Sequence, residues 1–427
     1  MRADYLDKFA ASYKKGLKAL VENSRVYTRA YHDHVPTETS PGHAAIITGK
    51  PPGETGIIGN EWLDREKGRL VESVEDPVFL IGPAQLKTQT LGDQMKAHDP
   101  EAKVVALSYK DRAAVMVAGH KANLCLWFDK KTNGFTTSAA YGPPPQWLGP
   151  FNQARVKNRL SGPTTATDRR TLELAERVLA ETGLGEDEHC DLLAISFSGT
   201  DLIGHAYGPD SPQMRAQLLS LDQILGDLLN DLAKKTGGNF VLALTSDHGV
   251  LPIPESPQGK ELKAKRVLTG GLKIQLENAC QRAFPAPQTK WLLALCMPNV
   301  YLNKTAVEAG KMDWGDFLIR VAAECKKIPD VAMVYMNNPL IFQDELSPIY
   351  QRSYFAGRSG DLSLRMKSGV LVTERLTGTS HGTPNDYDAH VPLLFYGADF
   401  PKEKVDARVS IEIIAPILAK AIGFQFD

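Results

Sequence analysis

A short stretch of hydroxyl side chains followed by an apolar segment offers the first candidate for chemistry. Residues 35–49 read V-P-T-E-T-S-P-G-H-A-A-I-I-T-G. Pro41 and Gly42 indicate a sharp turn, and the apolar run after them is typical of the buried start of a helix. Backbone N–H groups and the helix dipole favour an anion at such a position. Thr39 is therefore a candidate nucleophile for phosphorus, whereas helix capping is the alternative role of the hydroxyl residues in this stretch.

Three further motifs combine carboxylate and imidazole groups. S-G-T-D-L-I-G-H supplies Asp201 and His205, T-S-D-H-G supplies Asp247 and His248, and T-G-T-S-H-G-T-P supplies His381. Aspartate with histidine is a ligand set that suits zinc. Asp201 and His205 are four residues apart at the start of a helix, so both can face one metal. Each motif alone is more typical of a turn or a cap, but the three together favour a pair of divalent metal ions.

Apolar strands lead into two of these motifs. Residues 191–197 and 240–245 are predicted strands, and each runs directly into a turn that carries a carboxylate. The alternation of helices and strands along the chain predicts an α/β fold with a central, mostly parallel sheet flanked by helices. Ligands of such sheets bind at the carboxyl ends of the strands. We therefore expect Asp201 and Asp247 at the same edge.

Two irregular regions interrupt this alternation. Residues 126–165 are rich in Gly, Pro, Thr and Asn, and residues 254–370 mix predicted helices with a strand and hairpins. We interpret both as cap segments inserted into a single α/β domain that spans residues 1–427. The remaining core elements are predicted helices at 4–24, 91–98, 169–182, 211–235 and 411–422, and predicted strands at 103–109 and 391–396.

Composition narrows the class of protein. The 427 residues are 43% hydrophobic and 23% charged, which is typical of a globular protein with a large core. The formal net charge of -1 gives no electrostatic basis for binding nucleic acid. No run approaches the ~18 apolar residues of a membrane span, and no signal peptide is visible. The five cysteines contain no CxxC pair, which argues against a cysteine zinc knuckle and leaves the redox compartment open.

As an ordered set, the motifs resemble one family. T-E-T-S-P-G-H, G-I-I-G-N, S-Y-K-D-R, S-F-S-G-T-D-L-I-G-H, T-S-D-H-G and G-T-S-H-G, between residues 36 and 397, resemble the alkaline phosphatase superfamily. The resemblance is closest to its type I phosphodiesterase/nucleotide pyrophosphatase branch, and within it to phosphate-irrepressible alkaline phosphatases with a threonine nucleophile. It implies an alkaline-phosphatase-like fold and hydrolysis of small-molecule phosphate esters.

The resemblance also implies a site with two zinc ions. One would be held by Asp201, His205 and His381, and the other by Asp247 and His248. The second ion would also contact the Thr39 side chain, which would attack phosphorus to form a phosphothreonine intermediate that water then hydrolyses. Two metal ions ~3.5–4 Å apart can stabilise both the attacking and the leaving oxygen.

Three further polar residues are assigned by the same resemblance. Asn60 would donate its amide to a phosphoryl oxygen. Lys110 and Arg112 lie two residues apart at the end of a predicted strand, so we expect them to share a face and to reach the same phosphate. Such a cationic pair favours a monoester dianion over a diester. A phosphomonoesterase is therefore expected, with a phosphodiesterase or nucleotide pyrophosphatase as the alternative.

One part of the family pattern is not found. In the family, a first strand ending in an Asp zinc ligand precedes the segment that here reads M-R-A-D-Y-L. We expect this first core strand to be missing before residue 1, and Asp4 lies too far into the predicted helix to replace the ligand. A catalytically impaired relative that binds zinc or phosphate is therefore a further alternative. The resemblance implies a periplasmic or secreted location, and the oligomeric state and natural substrate stay open.

Overall fold

In the part of the chain that the structure describes, the strands form three four-stranded sheets and three two-stranded pairs. The computed structural model describes residues 1–155, 157–337 and 344–427. The described strands are β1 (Arg25–Tyr31), β2 (Glu61–Asp64), β3 (Arg69–Glu72), β4 (Glu75–Asp76), β5 (Leu80–Ile81), β6 (Val104–Ser108), β7 (Leu124–Asp129), β8 (Gly134–Thr136), β9 (Leu192–Ser196), β10 (Leu242–Leu244), β11 (Lys265–Leu268), β12 (Leu292–Cys296), β13 (Asn299–Leu302), β14 (Val331–Met336), β15 (Leu362–Met366), β16 (Val370–Thr373), β17 (His390–Tyr396) and β18 (Glu403–Ser410).

Helices cover the sheets. They are α1 (Tyr5–Lys8), α2 (Gly16–Asn23), α3 (Thr39–Thr48), α4 (Pro52–Thr55), α5 (Leu91–His98), α6 (Asp111–Ala118), α7 (Leu148–Gln153), α8 (Ala166–Glu181), α9 (Gly199–Tyr207), α10 (Pro212–Thr236), α11 (Pro257–Glu261), α12 (Thr269–Ala283), α13 (Lys304–Ala309), α14 (Trp314–Cys325), α15 (Ser347–Arg352), α16 (Asp386–Ala389) and α17 (Ile414–Ala421). Among the helices described, none has the length and apolar character that crossing a bilayer requires.

The first sheet has the order β8-β7-β6-β9 and is covered by helices on both faces. β6 pairs in parallel with β7 and with β9, and β8 runs antiparallel to β7. Every residue of β6 is buried. One face packs against α3, α5 and α6, and the other against α7 and α8. This three-layer arrangement confirms the predicted α/β class.

The second sheet has the order β10-β17-β1-β18. β17 runs antiparallel to both β10 and β1, and β1 is parallel to β18. Helices α2 and α10 pack on one face, and α3 and α17 pack on the other. Because α3 contributes apolar side chains to a core cluster of each sheet, the helix that begins at Thr39 lies against both sheets.

β9 is an edge strand of the first sheet, and β10 is an edge strand of the second. Within the described residues, β9 pairs with β6 alone and β10 pairs with β17 alone. Residues 191–197 and 240–246 are half-buried at every position, although both segments are apolar. The central sheet is therefore present in two parts. The additional first strand expected before residue 1 lies outside the sequence and stays a prediction.

The single helix predicted over residues 4–24 is wrong. The chain forms α1, a 3-10 turn and then α2, because Tyr13 has an extended backbone that ends the first helical segment. The Asp222 carboxylate accepts hydrogen bonds from four backbone N–H groups around the start of α2, which fixes the break. β1 begins at Arg25, one residue after the end of α2, and the sequence pattern did not predict this strand.

The two predicted cap segments differ in structure. β7, which includes the start of the 126–165 segment, belongs to the first sheet, so this boundary lies too early. Within 254–370, the sheet β12-β13-β15-β14 packs with α12 and α14 around an apolar cluster of its own, centred on residues such as Trp291 and Phe317. Residue 156 in the first segment and 338–343 in the second lie outside the described residues.

Candidate active site

Thr39 is the first residue of α3, as the turn signal predicts. Its side chain is buried, with 2% of the residue exposed. The Thr39 Oγ1 atom lies 3.4 Å from the Lys110 Nζ atom. A hydroxyl group at a helix N-terminus and beside an ammonium group lies in a region that favours negative charge.

Lys110 connects this hydroxyl to a carboxylate in the helix that follows the neighbouring strand. Lys110 follows β6, and Asp201 lies in the first turn of α9, which follows β9. Because β6 and β9 are parallel neighbours, their carboxyl ends meet at one edge. The Lys110 Nζ atom donates to the Asp201 Oδ2 atom at 2.6 Å. Lys110 and Asp201 therefore meet at the carboxyl edge of the first sheet. Asp247, which was expected at the same edge as Asp201, instead follows β10 of the second sheet.

Asp201, His205 and His381 form a group that could hold a metal ion. One ligand atom from each lies within 4.8 Å of the others. The Asp201 Oδ1 atom is 3.3 Å from the His205 Nε2 atom and 3.6 Å from the His381 Nε2 atom. This is the same set of three residues that the family resemblance assigns to one metal.

The three candidate ligand histidines are oriented in the same way. Each Nδ1 atom lies against a backbone carbonyl oxygen: His205 against Thr379 at 2.8 Å, His381 against Thr37 at 2.7 Å, and His248 against Gly249 at 2.9 Å. A carbonyl oxygen only accepts hydrogen bonds, so each Nδ1 atom must carry the proton. The lone pair of each Nε2 atom is therefore available for a metal, as in most metal-binding histidines.

Asp247 and His248 lie beside this group. The His248 Nε2 atom is 3.3 Å from the Asp247 Oδ2 atom and 3.8 Å from the Asp201 Oδ1 atom. The His248 and His381 rings stack with their centroids 3.4 Å apart. In the described part of the chain, no third His, Cys, Asp or Glu completes a second group. The structure thus places both predicted ligand sets next to each other.

The electrostatics at Asp201, Asp247 and His381 match the protonation states that metal ligands need. At His205, burial would lower the pKa, but the Asp201 carboxylate outweighs burial and raises it. Burial alone would raise the pKa of Asp201, but the charges of Lys110 and His205 outweigh it and hold that pKa well below its usual range. Burial is likewise outweighed at Asp247, mainly by His248 and His43, so its pKa is also well below normal. Burial, followed by the neighbouring histidines, lowers the pKa of His381 well below normal.

Asn60 is oriented by its neighbours. Its backbone N–H donates to the Glu38 Oε2 atom at 2.8 Å, and its side-chain Oδ1 atom accepts from the Ser40 backbone N–H at 3.0 Å. Because the oxygen end of the amide is occupied, the Nδ2 atom is the end that remains free to donate. This orientation is the one that the predicted contact with a phosphoryl oxygen requires.

The expected position of Arg112 is wrong in one respect. β6 ends at Ser108, and Lys110 is the residue before α6, so Arg112 lies in the first turn of a helix and not on a strand face. Its Nε atom is buried and makes no hydrogen bond among the described residues. Burial raises the pKa of Glu38, and the charge of Arg112 opposes that rise. The Arg112 guanidinium is therefore close enough to Glu38 for the two charges to interact.

Sequence reasoning missed three buried groups that support the site: Glu38, His43 and Asp388. The Asp388 Oδ2 atom accepts from the Thr383 N and Oγ1 atoms, and its carbonyl accepts from the Gly249 N–H. It thereby links the loops that carry His381 and His248. The four-residue spacing between Thr39 and His43 was a usable signal, whereas nothing in the sequence marks Asp388.

The fold and the site together define the class of protein, an α/β enzyme of the alkaline phosphatase type. A family model described as type I phosphodiesterase / nucleotide pyrophosphatase matches residues 1–386, and the chain belongs to this family.

Relatives with full-length similarity agree. Alkaline phosphatase PafA of Elizabethkingia meningoseptica is 28% identical over 500 residues, which cover 100% of this chain and 90% of that protein. Alkaline phosphatase PhoV of Synechococcus elongatus is 28% identical over 499 residues, which cover 100% of this chain and 88% of that protein. The crystal structure of wild-type PafA superimposes with a TM-score of 0.92 at 26% identity, covering 100% of this chain and 94% of that one. The chain is a hydrolase that acts on phosphate esters, and these relatives imply metal-dependent catalysis.

Proposed function

We propose that this protein is a zinc-dependent phosphomonoesterase that hydrolyses small phosphate monoesters through a phosphothreonine at Thr39. One observation carries the proposal: the Lys110 Nζ atom lies 3.4 Å from the Thr39 Oγ1 atom and 2.6 Å from the Asp201 Oδ2 atom. The cation therefore lies between the hydroxyl that would attack and a carboxylate of the candidate metal group. A phosphoryl group bound there would meet positive charge on the side of its nucleophile.

The metal ligands and the nucleophile would be the following residues. Asp201, His205 and His381 would hold one zinc ion, and Asp247 and His248 would hold the second. Bound zinc supplies Lewis-acid charge that activates an oxygen nucleophile and stabilises negative charge on phosphorus-bound oxygens. A threonine hydroxyl is a weak nucleophile without such activation. The N-terminus of α3 presents the Thr39 hydroxyl, and the buried surroundings keep its orientation fixed.

The positive charges in the site favour a monoester. A monoester dianion carries one more negative charge than a diester, so added cations discriminate in its favour. Lys110 contributes an ammonium group directly beside Thr39, and Arg112 contributes a guanidinium whose Nε atom is buried without a hydrogen bond in the described structure. The free Nδ2 atom of Asn60 would donate to the same phosphoryl group.

Rates with an aryl phosphate monoester and the matching aryl diester test this preference. The monoester should be hydrolysed faster, and Lys110→Ala should lower kcat/KM for the monoester by about 10²–10³-fold while affecting the diester less. Exposed Lys131→Ala is the matched control and should change neither rate. A faster diester reaction would instead favour the second candidate, a type I phosphodiesterase, which the description of the matching family model supports.

Metal content tests the zinc assignment. Protein dialysed against a chelator should lose activity and recover it with zinc, at two zinc ions per chain. Fewer than two bound zinc ions, with no turnover after zinc is added, would favour the impaired zinc- or phosphate-binding relative. The periplasmic or secreted location stays a prediction from the family resemblance.

A further inference from the structure

One buried histidine connects the candidate nucleophile with a candidate metal ligand. His43 lies one turn after Thr39 in α3 and is 8% exposed. Its Nδ1 atom is 2.8 Å from the Thr39 carbonyl oxygen and 3.5 Å from the Asp247 Oδ2 atom. Its Nε2 atom is 2.9 Å from the Ser196 Oγ atom at the end of β9. The ring therefore contacts a helix, a strand end of the first sheet and the loop that follows β10.

The hydrogen bonds fix the tautomer of this ring. The Thr39 carbonyl oxygen only accepts, so the His43 Nδ1 atom must carry the proton. The Nε2 atom is then an acceptor, and the Ser196 hydroxyl donates to it. The Asp247 Oδ2 atom lies 3.5 Å from the same Nδ1 atom, a longer polar contact beside the hydrogen bond to the Thr39 carbonyl. One N–H group thus faces both the main chain of the nucleophile and the carboxylate.

Backbone packing brings α3 and the Asp247 loop close together at this point. A Cβ atom on Gly42 would collide with the Asp247 carbonyl oxygen. The two backbones are therefore in direct contact one residue before His43. The backbone contact sets the distance between helix and loop, and the His43 ring is the adjacent polar contact that reaches the Asp247 side chain.

We infer that His43 is a positioning residue that orients the Asp247 carboxylate relative to Thr39 through its Nδ1–H group. This role rests on the proposed function, in which Asp247 holds zinc next to the threonine. Partners that orient a metal ligand typically change metal affinity or activity by about 10–100-fold when they are removed. The alternative is a histidine that only fills space in the core.

Two substitutions separate these roles. In His43→Asn the amide nitrogen replaces the Nδ1 atom, whereas in His43→Gln it replaces the Nε2 atom. The Asn variant should stay within a few-fold of wild type, and the Gln variant should lose about 10–100-fold in kcat with little change in KM. Its zinc affinity, measured by equilibrium dialysis, should weaken by a similar factor. Equal behaviour of the two variants in kcat and in zinc affinity would overturn the inference.

Ser196→Ala is the matched control because it removes the partner of the Nε2 atom alone. It should lower Tm slightly and leave zinc affinity unchanged. A loss of zinc affinity as large as that of His43→Gln would contradict a role for Nδ1. If wild-type protein hydrolyses no phosphate ester, the proposed function fails, whereas the zinc affinities still report on His43.

If the variants do not fold, the wild-type protein can be measured instead, without zinc and with zinc bound. In ¹⁵N NMR spectra of the histidine side chains, His43 should be neutral with its proton on Nδ1, and its resonances should shift when zinc binds. A proton on Nε2, or resonances that do not change when zinc binds, would overturn the inference.

Discussion

At the scale of single residues, the site is oriented mainly by backbone groups. The Nδ1 atoms of His205, His248 and His381 all lie against carbonyl oxygens. The Asn60 Oδ1 atom is held by the Ser40 N–H. A main-chain carbonyl only accepts and a main-chain N–H only donates. These groups therefore fix the tautomer of each histidine and the orientation of the amide wherever the main chain itself is fixed. The Nε2 atoms of these histidines and the Asn60 Nδ2 atom are then the ends left for the metal and phosphoryl contacts that we propose.

Asn60→Asp tests the orientation of this amide. The carboxylate can still accept from the Ser40 N–H, but it places an oxygen where the Nδ2 donor was. Loss of one donor to a developing negative charge costs about 10²–10³-fold in rate. Both variants lose this donor, and Asn60→Asp also adds a negative charge that repels the phosphoryl group. We expect kcat/KM for a monoester to fall by about that factor in Asn60→Ala and further in Asn60→Asp. Steady-state kinetics check this, and an Asp variant as active as the Ala variant would place the amide outside the site.

Spacing in the sequence was sufficient to find the residues of the site that lie close together in a motif. Asp201 and His205 are one helical turn apart, and Thr39 lies at a turn marked by Pro41 and Gly42. Residues whose contacts span distant parts of the chain left no such signal. Asp388, for example, acts on Thr383 and Gly249, and only the folded chain brings the latter close.

At the scale of elements, α3 is held against the Asp247 loop without space for an added atom. A Cβ atom on Gly42 would collide with the Asp247 carbonyl oxygen, whereas one on Gly271 in α12 would meet nothing within 4 Å. Both glycines lie in helices, so their intrinsic helix preferences are alike.

Gly42→Ala should therefore lower the free energy of unfolding by about 1–3 kcal/mol, because overpacking forces the backbones apart. It should also reduce kcat, since Thr39 and Asp247 would separate. Gly271→Ala should instead stabilise by up to about 1 kcal/mol, because alanine restricts the unfolded chain. Chemical denaturation checks both values. Equal stability of the two variants would contradict the close contact.

A buried carboxyl group supports the start of α9, which carries Asp201. Asp168 is fully buried, and its carboxylate accepts from the Gly199 N–H at 2.7 Å and from the Gln217 Nε2 atom at 2.6 Å. Burial raises the pKa of Asp168 to about 6, and these hydrogen bonds oppose only part of the rise.

Asp168→Asn should change how stability depends on pH. The ordinary pKa of an Asp is 3.8, so between about pH 4 and 6 the unfolded chain has lost a proton that the folded protein retains. The stabilisation is full below pH 4 and is lost as pH rises through about 6. Relative to the variant, wild type should lose up to about 1.4 kcal/mol per pH unit in this window. Urea unfolding from pH 4 to 7 checks this, and a pH-independent difference would contradict it.

The sequence predicted most elements next to the site but not how the strands pair. β6, β9, β10 and β17 overlap the predicted strands because each is a continuous apolar run. β1 was missed because two arginines and a threonine interrupt its apolar residues, and β18 was missed because most of its positions are exposed and several are charged. Pairing depends on contacts between distant segments, and a local pattern carries little information about them.

At the scale of the whole molecule, segments on both sides of α3 are supported by residues from the cap segment 254–370. The Arg358 side chain donates to the carbonyls of Gly56 and Gln85, and the Val35 N–H donates to the Ser353 Oγ atom. The cap has its own apolar cluster, and Tyr301 of β13 also packs into the apolar cluster of the first sheet, so the cap is joined to the core. The family resemblance predicted the overall fold correctly because the order of motifs along the chain follows the order of its strands.

The role of Thr39 as the nucleophile is tested most directly by trapping the phosphoryl group on the protein. Zinc-loaded enzyme is mixed with an aryl phosphate monoester, quenched in acid within one turnover, and digested for mass spectrometry. Wild type should carry one phosphoryl group on the peptide that contains Thr39, Thr39→Ser should retain it, and Thr39→Ala should lose both the label and turnover. Turnover by wild type without label, together with full activity of Thr39→Ala, would contradict the central claim that Thr39 is the nucleophile.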